Sequence, residues 1–233
     1  MKSAWTPPDL YVITDRKMIG AGSLAEICDA ILKAAYEAAP EIRVAIQLRE
    51  KDLSGRALYE LASALRPICT RNHAALIVND RIDVAIAANA DGVHLPGGSF
   101  EIADARRILG AERMIGVSTH SSGEVERAAK AGADFAVYGP VFESISKRGY
   151  GVGRGGEELA AASRAGGAMR VIALGGITAE RIGAIAEAAA AGGWRPVGAA
   201  VIGAVFGADD AARAARGLVT ALAQMRAELD PRL

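Results

Sequence analysis

The chain has little of several residue types, and each shortage excludes a class of protein. It holds only two cysteines, Cys28 and Cys69, which cannot build a disulfide framework and are expected to be small buried side chains. No apolar run reaches the roughly 18 residues of a membrane span, and the first residues carry no secretory signal. The 27 basic residues equal the 27 acidic ones, so no broad basic field favours nucleic acid or an anionic membrane. We therefore expect a cytoplasmic protein whose partners are neither nucleic acids nor membranes.

Aromatic residues are also scarce, at 5% of the chain, whereas hydrophobic residues make up 51%. That hydrophobic fraction excludes a disordered chain. The core is therefore expected to consist mainly of Ala, Ile, Leu and Val. Glycine is abundant, with 27 residues, which indicates tight turns or loops that approach a ligand closely.

Short apolar runs alternate along the chain with Ala-rich stretches of helical period. The runs predict eight strands, at residues 10–14, 44–49, 75–78, 92–95, 114–118, 135–138, 171–174 and 197–201. A helix is predicted after every strand; the first has an apolar face from Leu24 to Ala35 with Ser23 as its N-cap, and the last lies near 209–228.

Strands that alternate with helices imply a parallel sheet covered by helices. Eight such units predict an α/β protein with a single-domain (β/α)8 TIM barrel over residues 1–233, with an N-terminal extension at 1–9 and a C-terminal tail at 229–233. An open Rossmann-like sheet is the alternative. It is less favoured because no Gly-x-Gly-x-x-Gly turn follows the first strand.

In a TIM barrel the active site lies at the carboxyl ends of the strands. The second predicted strand ends in Gln47-Leu-Arg49-Glu-Lys51, and residues i, i+2 and i+4 of a strand point to the same side. One amide, one guanidinium and one ammonium would share one space, which predicts an anion site. A surface edge with salt bridges is the alternative, and a closed barrel has no such edge.

Two further segments favour phosphate and metal binding at the same rim. The loop with Ser144, Ser146 and Lys147 carries two hydroxyls and an ammonium before a glycine-rich stretch, which suits a loop that closes over phosphate. Asn79-Asp80 offers oxygen ligands for a hard cation such as Mg²⁺, or an N-cap for the next helix.

A second anion site is predicted after the last two strands. Gly175-Gly176 and Ile202-Gly203 offer backbone N–H groups where TIM barrels commonly bind phosphate. Among the histidines, His120 follows a strand and is the best candidate for proton transfer, whereas structural roles are expected for His73 and His94. Neither a Cys/His cluster for zinc nor a serine-nucleophile elbow is present in the sequence.

Seven short motifs together resemble the thiamine phosphate synthase family, which includes a close relative, the thiazole tautomerase. The motifs are Gln47–Lys51, Ile77–Arg81, Ala90–His94, Ile115–His120, Gly132–Asp134, Tyr138–Phe142 with Ser146 and Lys147, and Ala173–Thr178. The resemblance covers about residues 10–207 and implies a (β/α)8 barrel. It also implies a reaction in which hydroxymethylpyrimidine diphosphate ionises and the thiazole phosphate nitrogen captures the pyrimidine cation, with release of pyrophosphate.

The resemblance implies a role for each matching position. Binding of the pyrimidine diphosphate is implied for Gln47, Arg49, Lys51, Asn79, Ser118 and Lys147, with Ser144 and Ser146 over the phosphates. Asp80 would hold Mg²⁺, and Gly176, Ile202 and Gly203 would bind thiazole phosphate through backbone amides. We take Arg49, Lys51, Lys147 and His120 as the catalytic candidates.

Ser99 departs from the synthase pattern, which has a second aspartate ligand at this place. This weakens the expectation of Mg²⁺, because a hydroxyl binds the ion less strongly than a carboxylate. The tautomerases also tend to have serine here, and they move a proton with the histidine matching His120. Gln47 favours the synthase, since tautomerases tend to have histidine there. We predict a synthase, a transferase acting on small molecules, with a metal-free tautomerase as the main alternative and a non-catalytic phosphate-binding paralogue as the third; whether the chain forms a homo-oligomer stays open.

Overall fold

A computed structural model describes residues 6–20, 22–143, 155–194 and 197–229. Within them, eight parallel strands close into a barrel in which each strand pairs with its neighbours along the chain, and the last pairs with the first. The strands are β1 Leu10–Ile13, β2 Val44–Leu48, β3 Ala75–Asn79, β4 Gly92–Leu95, β5 Met114–Thr119, β6 Phe135–Tyr138, β7 Arg170–Leu174 and β8 Gly198–Val201. The (β/α)8 prediction is confirmed, and the open-sheet alternative is wrong because β1 pairs with both β2 and β8.

Helices follow the strands and cover the outside of the barrel. They are α1 Leu24–Ala38, α2 Gly55–Arg71, α3 Ile82–Ala87, α4 Ile102–Leu109, α5 Ser122–Lys130, α6 Gly155–Gly166, α7 Ala179–Gly192, α8 Gly203–Phe206 and α9 Ala211–Leu229. The short α8 was not predicted, because four residues are too few to show a helical period. Within the described ranges, no helix has the length and apolar character to cross a membrane.

The first helix begins as the sequence predicts. The Ser23 hydroxyl accepts the backbone N–H of Glu26, and the Glu26 carboxylate accepts the N–H of Ser23, which forms a complete capping box. Cys28 of α1 and Cys69 of α2 are fully buried as free thiols, and burial raises the pKa of both. The expectation that they act as small core residues is confirmed.

Strand alternation divides the core into two parts. One set of side chains faces the helices, and the other fills the barrel, where Tyr11 and Phe135 meet edge to face at 5.3 Å between ring centroids. Gly116 makes room for this packing, because a Cβ at Gly116 would overlap the Phe135 ring. The barrel is therefore a packed plug rather than a pore, and a ligand is confined to its ends.

At the amino-terminal end of the strands, Asp9 is only 1% exposed and gathers three arginines. Arg43 donates to it through Nε at 2.9 Å and through its backbone N–H at 3.0 Å. Arg170 and Arg226 pair with the same carboxylate. Burial alone would raise the pKa of Asp9, but the hydrogen bonds and charges of Arg43 and Arg170 hold it below its ordinary value. This cluster ties β1, β2, β7 and α9 together.

Candidate active site

The carboxyl-terminal end of the barrel collects the predicted polar residues. Because alternate residues of each strand face the interior, the inward series of β2 runs from Ala45 to Gln47, and that of β3 runs from Ala75 through Ile77 to Asn79. The Gln47 amide, 1% exposed, donates to the side-chain oxygen of Asn79 at 3.0 Å. The ends of β2 and β3 thus present one connected polar surface above the apolar plug.

Arg49 and Lys51 follow β2 at this end. Strand β2 stops at Leu48 rather than at residue 49, so Lys51 lies in a turn and the strand-alternation argument does not extend to it. Arg49 is half-buried and Lys51 is exposed. Within the described part of the chain, neither forms an ion pair with a carboxylate. Two cations that form no such pair within these ranges are suited to bind an anionic ligand.

A pocket of about 310 Å³ opens beside Lys51. It is lined by Leu48, Glu50, Lys51, Leu53, Leu58, Asn79, Asp80, Arg81 and Pro96. Arg81 was not singled out from the sequence, although it directly follows the predicted Asn79-Asp80 pair. Its guanidinium pairs with Asp83 and lies beside Gly55, where a Cβ would come within 2.8 Å of it. The absence of a side chain at Gly55 therefore leaves room for Arg81 at the pocket.

Asp80 lines this pocket together with one other carboxylate, that of Glu50, which is paired with Arg16. Asp80 adopts a left-handed backbone conformation, with φ of 64°, and its N–H donates to the carbonyl of His94 at 2.9 Å. The Ser99 hydroxyl donates to Asp80 Oδ1. No group of three or more His, Cys, Asp or Glu side chains in the described ranges could hold a metal alone. One carboxylate with nearby amide and hydroxyl oxygens fits Mg²⁺ only if substrate phosphates and water complete its shell.

His94 lies inside the barrel and contacts a second predicted residue. Its Nε2 is 2.9 Å from the Ser118 hydroxyl. Complete burial and the nearby charge of Arg49 lower the pKa of His94 to about 3, so the ring is neutral. Among the described residues, His94 Nδ1 and the Tyr11 hydroxyl have no hydrogen-bond partner. His94 was expected to be structural, but the surrounding barrel therefore leaves one of its two ring nitrogens without a hydrogen bond. This neutral ring positions Ser118 at the end of β5.

His120 lies between the ends of β5 and β6 and is exposed. Its Nδ1 is 2.7 Å from the carbonyl of Gly139, which must accept, so Nδ1 carries a proton and, in the neutral ring, the lone pair is on Nε2. Its backbone N–H donates to Glu124. The fixed tautomer could take up a proton at Nε2. His73, by contrast, lies in the α2–β3 connection and stacks on Tyr36 at 4.7 Å.

The second predicted anion site lies at the ends of β7 and β8, and β1 separates β8 from β2 in the barrel. Gly176, with φ of 60°, follows β7, and a Cβ there would lie 2.6 Å from the carbonyl oxygen of Glu143. Ile202 caps α8 and Gly203 is its first residue. The first N–H groups of a helix have no acceptor within the helix, so they point outward. Ser144, Ser146 and Lys147 lie outside the described residues.

A closed barrel with polar side chains converging on the carboxyl ends of its strands has the architecture of the (β/α)8-barrel enzymes. Within that class, the chain belongs to the thiamine monophosphate synthase family, whose sequence model matches residues 10–204. The family resemblance noted in the motifs is thereby confirmed.

Curated relatives and a solved structure agree with this placement. The chain is 42% identical to a thiamine-phosphate synthase of Methanoculleus marisnigri over 94% of this chain and 98% of the relative. It is 39% identical to a thiamine-phosphate synthase of Roseiflexus castenholzii, over 92% and 88% of the two chains. The structure is similar to the thiamine phosphate pyrophosphorylase from Pyrococcus furiosus, with a TM-score of 0.77, 31% identity and coverage of 93% and 96%. These relatives carry the name of a transferase and give the isomerase alternative no support.

Proposed function

We propose that this protein is a thiamine phosphate synthase. It joins hydroxymethylpyrimidine diphosphate to thiazole phosphate and releases pyrophosphate. The observation that carries the proposal is the Gln47–Asn79 pair next to Arg49 and Lys51 at the mouth of a barrel of this family. Neither cation forms an ion pair with a described residue. The proposed enzyme is a transferase with two small-molecule substrates, and the cytoplasm is its expected compartment.

The diphosphate of the pyrimidine substrate is assigned to the mouth of the barrel at the ends of β2 and β3, where the pocket lined by Lys51 and Asn79 opens. Arg49 and Lys51 bind its oxygens, and the amides of Gln47 and Asn79 orient the substrate. The charge on the departing pyrophosphate grows as the bond to the pyrimidine methylene breaks. Cations held in place before the reaction stabilise that charge without reorganising. This electrostatic stabilisation is expected to be the protein's largest contribution to lowering the activation free energy. Lys147, with Ser144 and Ser146, is proposed to add to this binding from the loop after β6.

Asp80 is the residue proposed to hold Mg²⁺, with Ser99 and the substrate oxygens beside it. The ion would supply Lewis-acid neutralisation of the diphosphate oxygens. Asp80 is the only carboxylate assigned to it, so binding of the ion is expected to depend on the diphosphate more strongly than in a site with two carboxylates.

Thiazole phosphate is assigned to the part of the rim that follows β7 and β8. The backbone N–H groups near Gly176, Ile202 and Gly203 bind its phosphate, as helix amino termini do in other barrels. With both substrates anchored by phosphate groups, the thiazole nitrogen is held near the pyrimidine methylene, and the capture step becomes effectively intramolecular. The packed interior beneath the site excludes water that would compete for the cation. The coupling needs no proton transfer, so His120 has no assigned step.

A coupled assay tests the proposal. Purified protein is mixed with both substrates, with and without Mg²⁺, and pyrophosphate and thiamine phosphate are measured together. Equal yields of the two products, dependent on metal and lost in Arg49→Ala, are expected. Isomerisation of thiazole phosphate carboxylate without metal, lost in His120→Ala and with no pyrophosphate released, would instead establish the tautomerase. Binding of thiazole phosphate without turnover in either assay would establish a non-catalytic paralogue.

A further inference from the structure

The residue between the two cations, Glu50, carries the charge that an anion site should avoid. It is nevertheless 5% exposed and lies directly between Arg49 and Lys51. Its carboxylate points away from the barrel interior, toward the loop that follows β1, where Arg16 donates to it through the backbone N–H at 3.1 Å and through Nη1 at 3.0 Å. Glu50 lines the pocket, but Arg16 neutralises its negative charge. A carboxylate does not attract phosphate, so Glu50 must serve a purpose other than binding substrate.

Thr14 connects Glu50 to the backbone of Arg49. The fully buried Thr14 hydroxyl donates to Glu50 Oε1 at 2.7 Å and accepts the Arg49 N–H at 2.9 Å. A parallel ladder would continue with the Arg49 N–H bonded to the carbonyl of Thr14, but regular pairing ends at Ile13 and Gln47. The Thr14 hydroxyl, rather than the Thr14 carbonyl, accepts the Arg49 N–H. Strand β2 therefore ends on a side-chain bond whose direction is set by Glu50.

We propose that Thr14 and Glu50 are positioning residues. They fix the backbone conformation of residues 49–51 so that the side chains of Arg49 and Lys51 can bind the diphosphate. The proposal rests on the proposed function, which assigns the diphosphate to these cations. Thr14 uses both its donor and its acceptor capacity in the arrangement, so its hydroxyl cannot rotate without losing a bond. Loss of the hydroxyl leaves the Arg49 N–H without its acceptor and Glu50 without one donor.

The test compares Thr14→Val with Thr14→Ser. Valine keeps the shape of the side chain and removes the hydroxyl, whereas serine keeps the hydroxyl. Asp52→Asn is the matched control, because Asp52 also pairs with Arg16 but is exposed and does not contact Thr14. Binding of inorganic pyrophosphate with Mg²⁺ is measured by calorimetry on each folded variant, and KM is measured for both substrates. Thermal melting reports folding separately.

Thr14→Val is expected to weaken pyrophosphate binding about tenfold and to raise KM for the pyrimidine diphosphate by a similar factor, with KM for thiazole phosphate unchanged. Thr14→Ser restores affinity to within about twofold, and Asp52→Asn leaves it unchanged. If Thr14→Val melts lower but binds pyrophosphate like the wild type, the hydroxyl is only structural and the inference is overturned. Arg49→Ala separates the two claims, because normal pyrophosphate binding in that variant would overturn the proposed function itself.

Discussion

Aspartates at the amino-terminal end of the barrel each have an arginine partner, whereas two cations at the carboxyl-terminal end have no carboxylate partner within the described ranges. Asp91 accepts the Leu76 N–H and pairs with Arg66. Asp134 repeats the arrangement two strands further around the barrel, with the Ile115 N–H of β5 and Arg106. In each case one carboxylate joins a strand to an arginine on the covering helix.

The comparison separates stability from function within one fold. Charges at the amino-terminal end are satisfied by the protein itself, so they hold strands and helices together. Arg49 and Lys51 at the other end are not paired with a described carboxylate. An anionic ligand can therefore gain binding free energy by pairing with them. This division matches the general TIM-barrel rule that catalysis lies at the carboxyl ends of the strands.

The largest expected effect is a loss of stability when the Asp9 cluster at the amino-terminal end of the barrel is disrupted. Asp9→Ala leaves Arg43 and Arg170 without their counter-ion and should lower the free energy of unfolding by about 3 kcal/mol. Urea denaturation measures it, and the KM values of the remaining folded enzyme should stay the same. Asp52→Asn is the control, since an exposed pair contributes about 0–1 kcal/mol. A changed KM with unchanged stability would reverse the assignment of the two ends.

Arg49→Ala removes one of the two cations at the carboxyl-terminal end of the barrel. The kcat/KM for the pyrimidine diphosphate is expected to fall about a hundredfold, because a preorganised cation is lost where charge develops. The urea midpoint should hardly move, since the side chain forms no ion pair among the described residues. Steady-state kinetics and denaturation on the same preparation measure both. A large loss of stability with near-normal kinetics would count against the anion site.

The pH dependence of stability tests the role of Asp9 at the amino-terminal end. Its folded-state pKa lies below the ordinary 3.8, so ionised Asp9 stabilises the fold above the unfolded-state pKa, and this stabilisation is lost as pH falls through the folded value. Urea midpoints should therefore decline below about pH 4. The decline should be shallower in Asp9→Asn, in which this position no longer titrates. Identical slopes for the two proteins would show that other carboxylates account for the acid sensitivity.

The smallest effect is expected at His120. His120→Ala should change kcat of the coupling reaction by no more than about twofold, because no proton is transferred. Its backbone N–H bond to Glu124 survives the substitution, so folding should be preserved. Pyrophosphate release at saturating substrates measures it. A loss of about a hundredfold would identify a proton transfer and revive the isomerase alternative.

The sequence predicted all eight strands because each is a short apolar run, and it placed Gln47 and Asn79 at the mouth because both end such runs. It missed what depends on contacts between segments. The end of β2 at Leu48 is decided by the Thr14 hydroxyl, which lies 35 residues from Arg49 along the chain. The Arg16–Glu50 ion pair spans 34 residues, so a pattern within one strand could not reveal that the charge of Glu50 is neutralised.

Gly116 and Phe135 share one volume at the centre of the barrel. Either position can enlarge only if the other shrinks, because the close-packed interior has no spare space. In an aligned set of relatives, these two positions are therefore expected to covary, with a larger residue on β5 accompanied by a smaller one on β6. Such exchange would let the interior of the barrel change shape while the polar rim above it kept its chemistry.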